Sequence, residues 1–442
     1  MKIQLSDHFT YKRLLRFVLP SIVMMVFTSV YGVVDGLFVS KYTGKTPCAA
    51  GNLIMPVIMI MGTVGLMIGT GGSAIVSKTL GECKKEKASE YFSMLVYTSI
   101  ILGVLFTIAG LLLLRPIAIA IGAEGEILEN CIVYGRILII ATVPFILQYM
   151  FQSFFVTAEK PTLGLIVTIA AGVTNIILDW LLVGVFKYGI EGAAAATAMS
   201  QIIGGILPLF YFAFKNKSLL RLTKAKFYGK IFLKACTNGS SELMTNISTS
   251  LVNMLYNTQL LKMVGENGVA AYGVIMYVQY VFTAIYFGYS IGSAPIFGYN
   301  YGAENHKELK ALLKKNLIIT GTSGVILTAA AILLASPLSK IFVGYDQELF
   351  ELTCNGFKLF SISFLISGFN IFASSFFTAL GNGLVSAAIS FSRTLLFQVA
   401  AVMLLPMILG INGIWLAIVA AEAMAIIVTS IFLITNKKKY KY

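Results

Sequence analysis

The sequence predicts an all-α integral membrane protein whose twelve transmembrane helices form two parallel six-helix repeats. Hydrophobic residues make up 57% of the 442-residue chain and charged residues only 12%, which is too apolar a balance for a single water-soluble core. Apolar stretches of about 20 or more residues, long enough to cross a hydrocarbon core about 30 Å thick, recur along the whole sequence. A shift of 221 residues also superimposes similar segments, such as Gly-Ile-Glu-Gly at 189–192 and Gly-Ile-Asn-Gly at 410–413. The chain is therefore predicted to contain a duplicated unit.

Each repeat supplies six of the predicted spans. Because six is an even number, both repeats enter the membrane from the same side, so they are parallel and related by an axis along the membrane normal. We therefore expect substrate to pass between the two repeats. The spans are predicted at 14–40, 50–77, 91–114, 131–156, 163–186, 191–214, 235–262, 269–299, 315–335, 352–379, 384–409 and 413–435.

The predicted organisation is an amino lobe (1–214), a cytoplasmic linker (215–234) and a carboxy lobe (235–442). The linker is the longest basic stretch between spans and contains Lys224 and Lys226. Basic residues of this kind bind anionic lipid head groups. We expect the linker to lie as an amphipathic segment on the inner leaflet.

The basic residues indicate a membrane orientation rather than a nucleic-acid partner. The formal net charge is +14, and most of the 33 Lys and Arg residues lie in or beside the segments that would be cytoplasmic if the amino terminus is cytoplasmic. This bias predicts that both termini are cytoplasmic. Leu14 to Ser40 is too long for the core of a signal peptide and is predicted to stay as the first span.

Motifs for cofactors and catalysis are not evident. The five cysteines and two histidines are scattered, so neither a disulfide framework nor a zinc site is expected. Gly44-Lys45-Thr46 ends like a phosphate-binding loop, but Val39 occupies the position of the required earlier glycine. No catalytic motif indicates an enzyme. We expect no enzyme activity and no cofactor.

Four acidic residues fall within predicted spans, where a central Asp costs about 3 kcal/mol on insertion scales. These residues are Asp35, Asp179, Glu242 and Glu422. Asp35 and Asp179 are predicted to lie at a similar depth in the outer leaflet, together with Thr197. Asn175 precedes Asp179 by four residues, which places both side chains on one helix face.

Two carboxylates, an amide oxygen and a hydroxyl form a set of hard oxygen ligands suited to a small cation. Two carboxylates that lie close together cannot both stay ionised without compensation, so the pair could also bind a proton near neutral pH. The residues therefore predict a Na⁺ or H⁺ site and do not distinguish the two ions. A polar clamp between helices with no transported ion is the alternative, and Thr197 could simply bond within its own helix.

The chain resembles the multidrug and toxic compound extrusion family over its whole length. The resemblance is carried by the double six-helix pattern, Val34-Asp35-Gly36, the Gly-rich end of the second span, and the stretch from Asn175 to Asp179. It implies that Asp35, Asn175, Asp179 and Thr197 occupy the family's amino-lobe cation site. It also implies export of organic, often cationic, drugs in exchange for Na⁺ or H⁺ across a bacterial cytoplasmic membrane.

One branch of the family places its coupling acid in the seventh helix, at the duplicate of Asp35. Tyr256 occupies that position here, which favours a coupling site in the amino lobe. Secondary candidates for substrate binding or coupling are Glu242, Glu422, Tyr256, Tyr280 and Met59, because thioethers repack around irregular shapes and aromatic faces attract cations. Glu242 could instead stabilise a helix amino terminus, and Glu422 could bind substrate, bond internally or relay protons.

Two other classes of protein fit the same span count. A flippase for lipid-linked precursors or polysaccharide would need a large basic cavity, for which Arg393, predicted near the inner end of the eleventh span, is the obvious start. A receptor or other non-transporting protein would be expected to carry a soluble domain. We expect a monomer surrounded by membrane lipid, with small-molecule substrates and no nucleic-acid partner.

Overall fold

The computed structural model describes residues 3–442, except for the side chains of Leu37, Ser40 and Lys45. Within this range the chain folds into fifteen α-helices and two π-helical turns. The helices of the first half are α1 (Tyr11–Tyr42), α2 (Lys45–Gly81), α3 (Lys85–Ala120), α4 (Gly125–Ile140), α5 (Thr142–Thr157), α6 (Pro161–Leu178), which continues into the π-helical turn Asp179–Val185, and α7 (Gly189–Ala213).

The second half repeats this order. Its helices are α8 (Gly229–Met263), α9 (Glu266–Gly302), α10 (His306–Val343), α11 (Gln347–Ser361), α12 (Phe364–Ala379), α13 (Gly383–Phe391), which continues into the π-helical turn Ser392–Leu396, α14 (Phe397–Leu409) and α15 (Ile411–Tyr440). Helix boundaries recur at the 221-residue offset found in the sequence. The predicted fold class, an all-α membrane protein of two six-span repeats, is confirmed.

Nine of the described helices are long and apolar enough to cross a membrane, and the number of spans rises to eleven if two bent pairs each count as one. The bends lie between α4 and α5, at 57°, and between α11 and α12, at 48°. The sequence predicts each pair as one span, at 131–156 and 352–379. The one remaining predicted span is the seventh, 235–262, which corresponds to α8; this helix has 35 residues but is not among these apolar helices.

The two bends occupy equivalent places in the repeats but have different local causes. Pro144, near the start of α5, cannot donate a backbone hydrogen bond into the preceding turn. At the second bend the Ser361 hydroxyl bonds back to the Phe357 carbonyl, and the Tyr286 hydroxyl donates to the Phe364 carbonyl at 2.6 Å. A side chain from α9 therefore contacts the first carbonyl group of α12, directly after the break.

The two halves meet along α1 and α9 and along α2 and α8. Glycines allow the closest approaches. A Cβ atom on Gly81 would lie 2.0 Å from the carbonyl oxygen of Tyr299, and one on Gly302 would lie 2.0 Å from that of Lys78. Small residues let helix backbones touch in this way. These contacts close the bundle at the end that holds both chain termini.

The segment between the halves is not helical at 214–228, and α8 begins at Gly229 inside the predicted linker. The segment is held on α3. The Thr223 amide donates to the Ser93 hydroxyl at 2.8 Å, and the Tyr228 hydroxyl donates to Glu90 at 2.9 Å. The lobe boundaries at 214 and 235 and the contact of the linker with lipid stay predictions.

Candidate functional site

A cavity of about 1430 Å³ lies between the two halves. Its walls come mainly from α1, α2, α8 and α9. It extends from Glu242 and Arg393 in the middle of the bundle to Asn52 and Glu266, which are exposed at the bundle end opposite the chain termini. The cavity is therefore open at that end and closed at the other, with ample room for a drug-sized molecule.

The wall formed by α8 is polar. This explains why α8 falls short of the apolarity of the other spans, because its hydroxyl and amide groups face the cavity instead of lipid. The polar residues that α8 contributes to the wall, apart from Glu242, are Thr245, Asn246, Thr249, Ser250, Asn253, Asn257 and Thr258.

The other walls are largely apolar and aromatic. Of the predicted substrate-binding candidates, Met59 and Tyr280 line the cavity. Tyr256 does not lie with them. Its ring is 1% exposed and stacks on that of Tyr272, with centroids 4.8 Å apart and planes 9° apart. The structure therefore places Tyr256 in the core of the second half.

The predicted cation-site residues come from neighbouring helices of the first half. Asp35 lies on α1, Asn175 on α6, and Thr197 on α7, while Asp179 is the first residue of the π-helical turn. Asn175 Nδ2 approaches Asp35 Oδ1 at 3.5 Å. Asp179 is fully buried and Asn175 is 1% exposed. The side chains of Asp35 and Asp179 are also close enough to interact electrostatically.

Oxygen atoms in this group lack partners. Asn175 Oδ1 and Thr197 Oγ1 are buried without a hydrogen bond to any described residue, and the Asp179 carboxylate oxygens meet no described donor, with only the Asp35 carboxyl beside them. Buried polar atoms are normally satisfied, and an unpartnered group requires an explanation such as an ion or a water molecule. Oxygen-only coordination suits a small cation. The described residues contain no cluster of three or more His, Cys, Asp or Glu that resembles a transition-metal site.

The π-helical turn gives Asp179 its position. A π-helical turn widens the helix locally, and such turns are frequent at functional sites. Tyr134, which is 3% exposed, also lies within electrostatic range of Asp35 and Asp179. Tyr134 is not among the residues that the sequence predicts for this site, because a tyrosine in an apolar span resembles ordinary packing. No signal in a single sequence separates the two.

A second polar network lies in the other half, around Glu422. Arg393 Nε lies 3.6 Å from Glu422 Oε1, and Asn370 Nδ2 donates to Glu422 Oε2 at 2.7 Å. The Thr429 hydroxyl donates to Asn370 Oδ1 at 2.8 Å. Of the roles left open for Glu422, the structure supports internal bonding. Arg393 lies ten residues into its span, on the π-helical turn, and contacts the central cavity.

Glu242 is not at a helix amino terminus. Since α8 begins at Gly229, Glu242 lies more than three turns inside the helix, whereas the helix dipole acts only within the first turn. The interpretation that Glu242 stabilises a helix amino terminus is therefore wrong. The residue instead lines the central cavity, and within the described chain its carboxylate has no ion-pair partner within 4.0 Å.

The sequence matches a family model and named relatives over most of its length. Residues 20–181 and 243–404 each match the MatE model. Multidrug export protein MepA of Staphylococcus haemolyticus (strain JCSC1435) is 23% identical over 419 residues, which cover 93% of this chain and 90% of that protein. Multidrug export protein MepA of Staphylococcus aureus (strain MSSA476) is 23% identical over 416 residues, which cover 94% of this chain and 91% of that protein.

Solved structures share the fold. A crystal structure of MATE in complex with MaL6 has a TM-score of 0.93 at 22% identity and covers 98% of each chain. An outward-facing conformation of a multidrug resistance MATE family transporter of the MOP superfamily has a TM-score of 0.92 at 22% identity, covering 98% of this chain and 97% of that one. The relatives are named as transporters and export proteins, in agreement with the prediction that this chain is not an enzyme. The two matches to the family model span most of the sequence, and the chain belongs to the MatE family.

Proposed function

We propose that this protein is a multidrug efflux transporter that exchanges organic, often cationic, drugs for Na⁺ or H⁺. The observation that carries the proposal is the set of buried oxygens on Asn175, Asp179 and Thr197 that meet no hydrogen-bond donor, of which Asn175 and Asp179 lie beside Asp35. These atoms are buried, come from neighbouring helices and lack a positively charged partner. A bound cation would satisfy them and hold the helices together.

The drug would bind in the central cavity, which offers Met59, Tyr280 and Glu242 on its walls. Aromatic rings and a carboxylate attract organic cations, and methionine adapts to ligands of different shape. The similarity to proteins named multidrug export protein MepA supports small-molecule drugs as the cargo. With both termini in the cytoplasm, as the distribution of basic residues predicts, the open end of the cavity would face outward.

Exchange would follow from rocking of the two lobes. In the present conformation, backbone contacts at glycines close the end of the bundle that holds both chain termini. In the other conformation of the transport cycle, the two lobes would separate at that end and the cavity would open there. Entry of one cation contributes about 1.4 kcal/mol per tenfold concentration gradient and about 2.3 kcal/mol per 100 mV of membrane potential. These terms are sufficient for a few-hundredfold gradient of neutral cargo. A monovalent drug exchanged one for one would lose the voltage term.

The proposal is tested by dye movement in proteoliposomes under an imposed Na⁺ gradient and, separately, an imposed H⁺ gradient. Asp179→Asn is compared with wild type, and Glu348→Gln, an exposed carboxylate on α11, is the control. We expect one gradient to drive movement in wild type and control but not in Asp179→Asn. Coupled movement in Asp179→Asn would contradict the assigned site. No movement in wild type under either gradient would contradict antiport and favour the lipid-linked flippase.

A further inference from the structure

A basic surface without acidic residues lies where the second half begins, at the end of the bundle that holds both chain termini. Between Glu191 and Glu242 the sequence contains seven Lys and Arg residues and no Asp or Glu. All seven are exposed, and none forms an ion pair within the part of the chain that the structure describes. This surface therefore has an unbalanced positive charge that suits an anionic partner. The seven residues are Lys215, Lys217, Arg221, Lys224, Lys226, Lys230 and Lys234.

Lys230 and Lys234 stand at the head of an outward face of α8. Residues three, four or seven apart share one side of a helix, and the side that begins with Lys230 is exposed far into the span. It borders no part of the central cavity, since none of its residues is among those described as lining that cavity. This face therefore presents lysines at the terminal end and mainly apolar side chains along the membrane. After Lys230 it continues with Leu233, Thr237, Met244, Ile247 and Leu251.

Phe227 and Leu233 add apolar surface directly beside the lysines. Their side chains are 69% and 64% exposed. The Phe227 ring lies next to the first residue of α8, because a Cβ atom on Gly229 would lie 3.4 Å from its Cε1 atom. It also contacts the Phe232 ring, with centroids 6.1 Å apart. Exposed aromatic and aliphatic side chains next to lysines are typical of a surface that lies at a membrane interface.

Neighbouring contacts give this surface a defined shape. The Tyr228 hydroxyl donates to Glu90 of α3 at 2.9 Å, which holds the segment before α8 against the first half. Glu90 therefore contacts a neutral hydroxyl, and no ion pair joins it to a lysine of the described chain. The stem of Lys234 lies beside the turn after α12, where a Cβ atom on Gly381 would lie 4.0 Å from the Lys234 Cε atom.

We propose that the start of α8 is a binding site for an anionic phospholipid of the leaflet at the terminal end. The acidic head group contacts Lys230 and Lys234, and an acyl chain lies along Leu233 and the exposed apolar residues that follow it on α8. Lysines at a membrane surface attract anionic head groups. A zwitterionic lipid offers the same acyl chains without net charge, so it binds this site less tightly. The site is separate from the central cavity and does not depend on which cargo or ion the protein transports.

The test measures lipid binding to the purified full-length protein by native mass spectrometry. Phosphatidylglycerol, which is anionic, and phosphatidylcholine, which is zwitterionic, are titrated with identical acyl chains. We expect wild type to bind the first phosphatidylglycerol about tenfold more tightly than phosphatidylcholine. The double variant Lys230→Gln with Lys234→Gln should lose about tenfold or more of its affinity for phosphatidylglycerol, because two charges no longer contact the head group. Its affinity for phosphatidylcholine should stay within about twofold.

The matched control is Lys310→Gln with Lys314→Gln on α10. These lysines are also exposed, four residues apart and at the terminal end, but Glu304 and Glu308 precede them closely. The control removes the same charge and should keep the wild-type affinity for phosphatidylglycerol. Leu233→Gln should weaken binding of both lipids, because it removes apolar surface and keeps the lysines. Equal affinity of wild type for the two lipids, or an equal loss of phosphatidylglycerol in the two lysine variants, would overturn the proposal.

Discussion

Gly71 of α2 and Gly239 of α8 lie where the two halves touch through their backbones. A Cβ atom on Gly71 would lie 2.0 Å from the carbonyl oxygen of Ala235, and one on Gly239 would lie 1.9 Å from that of Met67. Neither position has space for a side chain. The α2–α8 contact therefore belongs to the conformation that is closed at the terminal end, and it must separate if that end opens.

Gly239→Val should shift the protein toward the conformation that is open at the terminal end. Overpacking costs about 1–3 kcal/mol, and the closed conformation alone would bear this cost. We expect labelling of Cys236, which is half-buried less than one turn away, to accelerate about tenfold or more with a membrane-impermeant thiol reagent. The other four cysteines are replaced in this background.

The matched control is Gly273→Val on α9, where an added Cβ meets no atom within 4 Å. It should leave Cys236 labelling at the wild-type rate. Equal labelling of Cys236 in Gly239→Val and wild type would show that the α2–α8 contact does not set the conformational equilibrium.

Asn175→Leu should weaken binding of the coupling ion without weakening binding of drug. The substitution removes the donor to Asp35 and the unpartnered Oδ1, but Asn175 is not among the residues that line the central cavity. The ion concentration for half-maximal transport should rise about tenfold, consistent with loss of one ligand worth about 1–2 kcal/mol. Asn130→Leu, a partly exposed amide on α4 outside this cluster, is the control. A change in drug affinity with unchanged ion dependence would contradict the assignment of Asn175 to the ion site.

Tyr256→Phe should leave the dependence on the coupling ion unchanged. The ring stacks on Tyr272 within the core of the second half, and phenylalanine preserves that stacking. Tyr280→Ala, by contrast, removes an aromatic face from the central cavity and should lower the affinity for cationic dyes several-fold. Initial rates of dye transport at varied ion and dye concentrations separate the two effects. A switch of coupling ion in Tyr256→Phe would indicate that the second half takes part in coupling.

The sequence was sufficient for the fold class and for the shared helix face of Asn175 and Asp179, because both follow from local rules, whereas the role of the first-half cluster in ion binding stays a prediction. Hydropathy locates spans, and a spacing of four places Asn175 and Asp179 on one helix face. The sequence did not predict the bend after Ile140, because this break depends both on Pro144 and on the packing of α4 and α5 against other helices. The helix that contains Glu242 begins earlier than hydropathy indicates, because its polar residues face a cavity. The pairing of Arg393 with Glu422 joins two consecutive spans, and periodicity within one span cannot reveal a contact with another.

The amino-terminal segment links the two halves at the terminal end. The Leu5 amide donates to Glu159 Oε1 at 2.7 Å, in the turn after α5, and the Phe9 amide donates to Glu308 Oε1 at 3.0 Å, in the first turn of α10. His8 Nδ1 also lies 2.7 Å from Glu308 Oε2. Because Glu159 and Glu308 belong to different halves, the segment must release one of them when the halves separate.

Glu159→Gln should make attachment of this segment less dependent on pH. Burial raises the pKa of the Glu159 carboxyl, Asp7 raises it further, and the Leu5 amide and two lysines, Lys160 and Lys85, lower it. A raised pKa in the folded state means that the stabilisation is present at low pH and is lost as the pH rises through that value. Glutamine keeps the oxygen that accepts from Leu5 and has no charge to bury.

Hydrogen exchange of residues 3–9 measures this attachment. Intrinsic exchange accelerates with pH equally in both proteins, so the ratio of wild type to Glu159→Gln at each pH isolates the effect of the carboxylate. We expect this ratio to rise with pH, as the charged wild-type residue holds the segment less firmly. Glu308→Gln, which keeps an acceptor for Phe9 but weakens the contact with His8, should accelerate exchange in the same segment. A ratio that stays flat across the pH range would mean that Glu159 does not control the attachment.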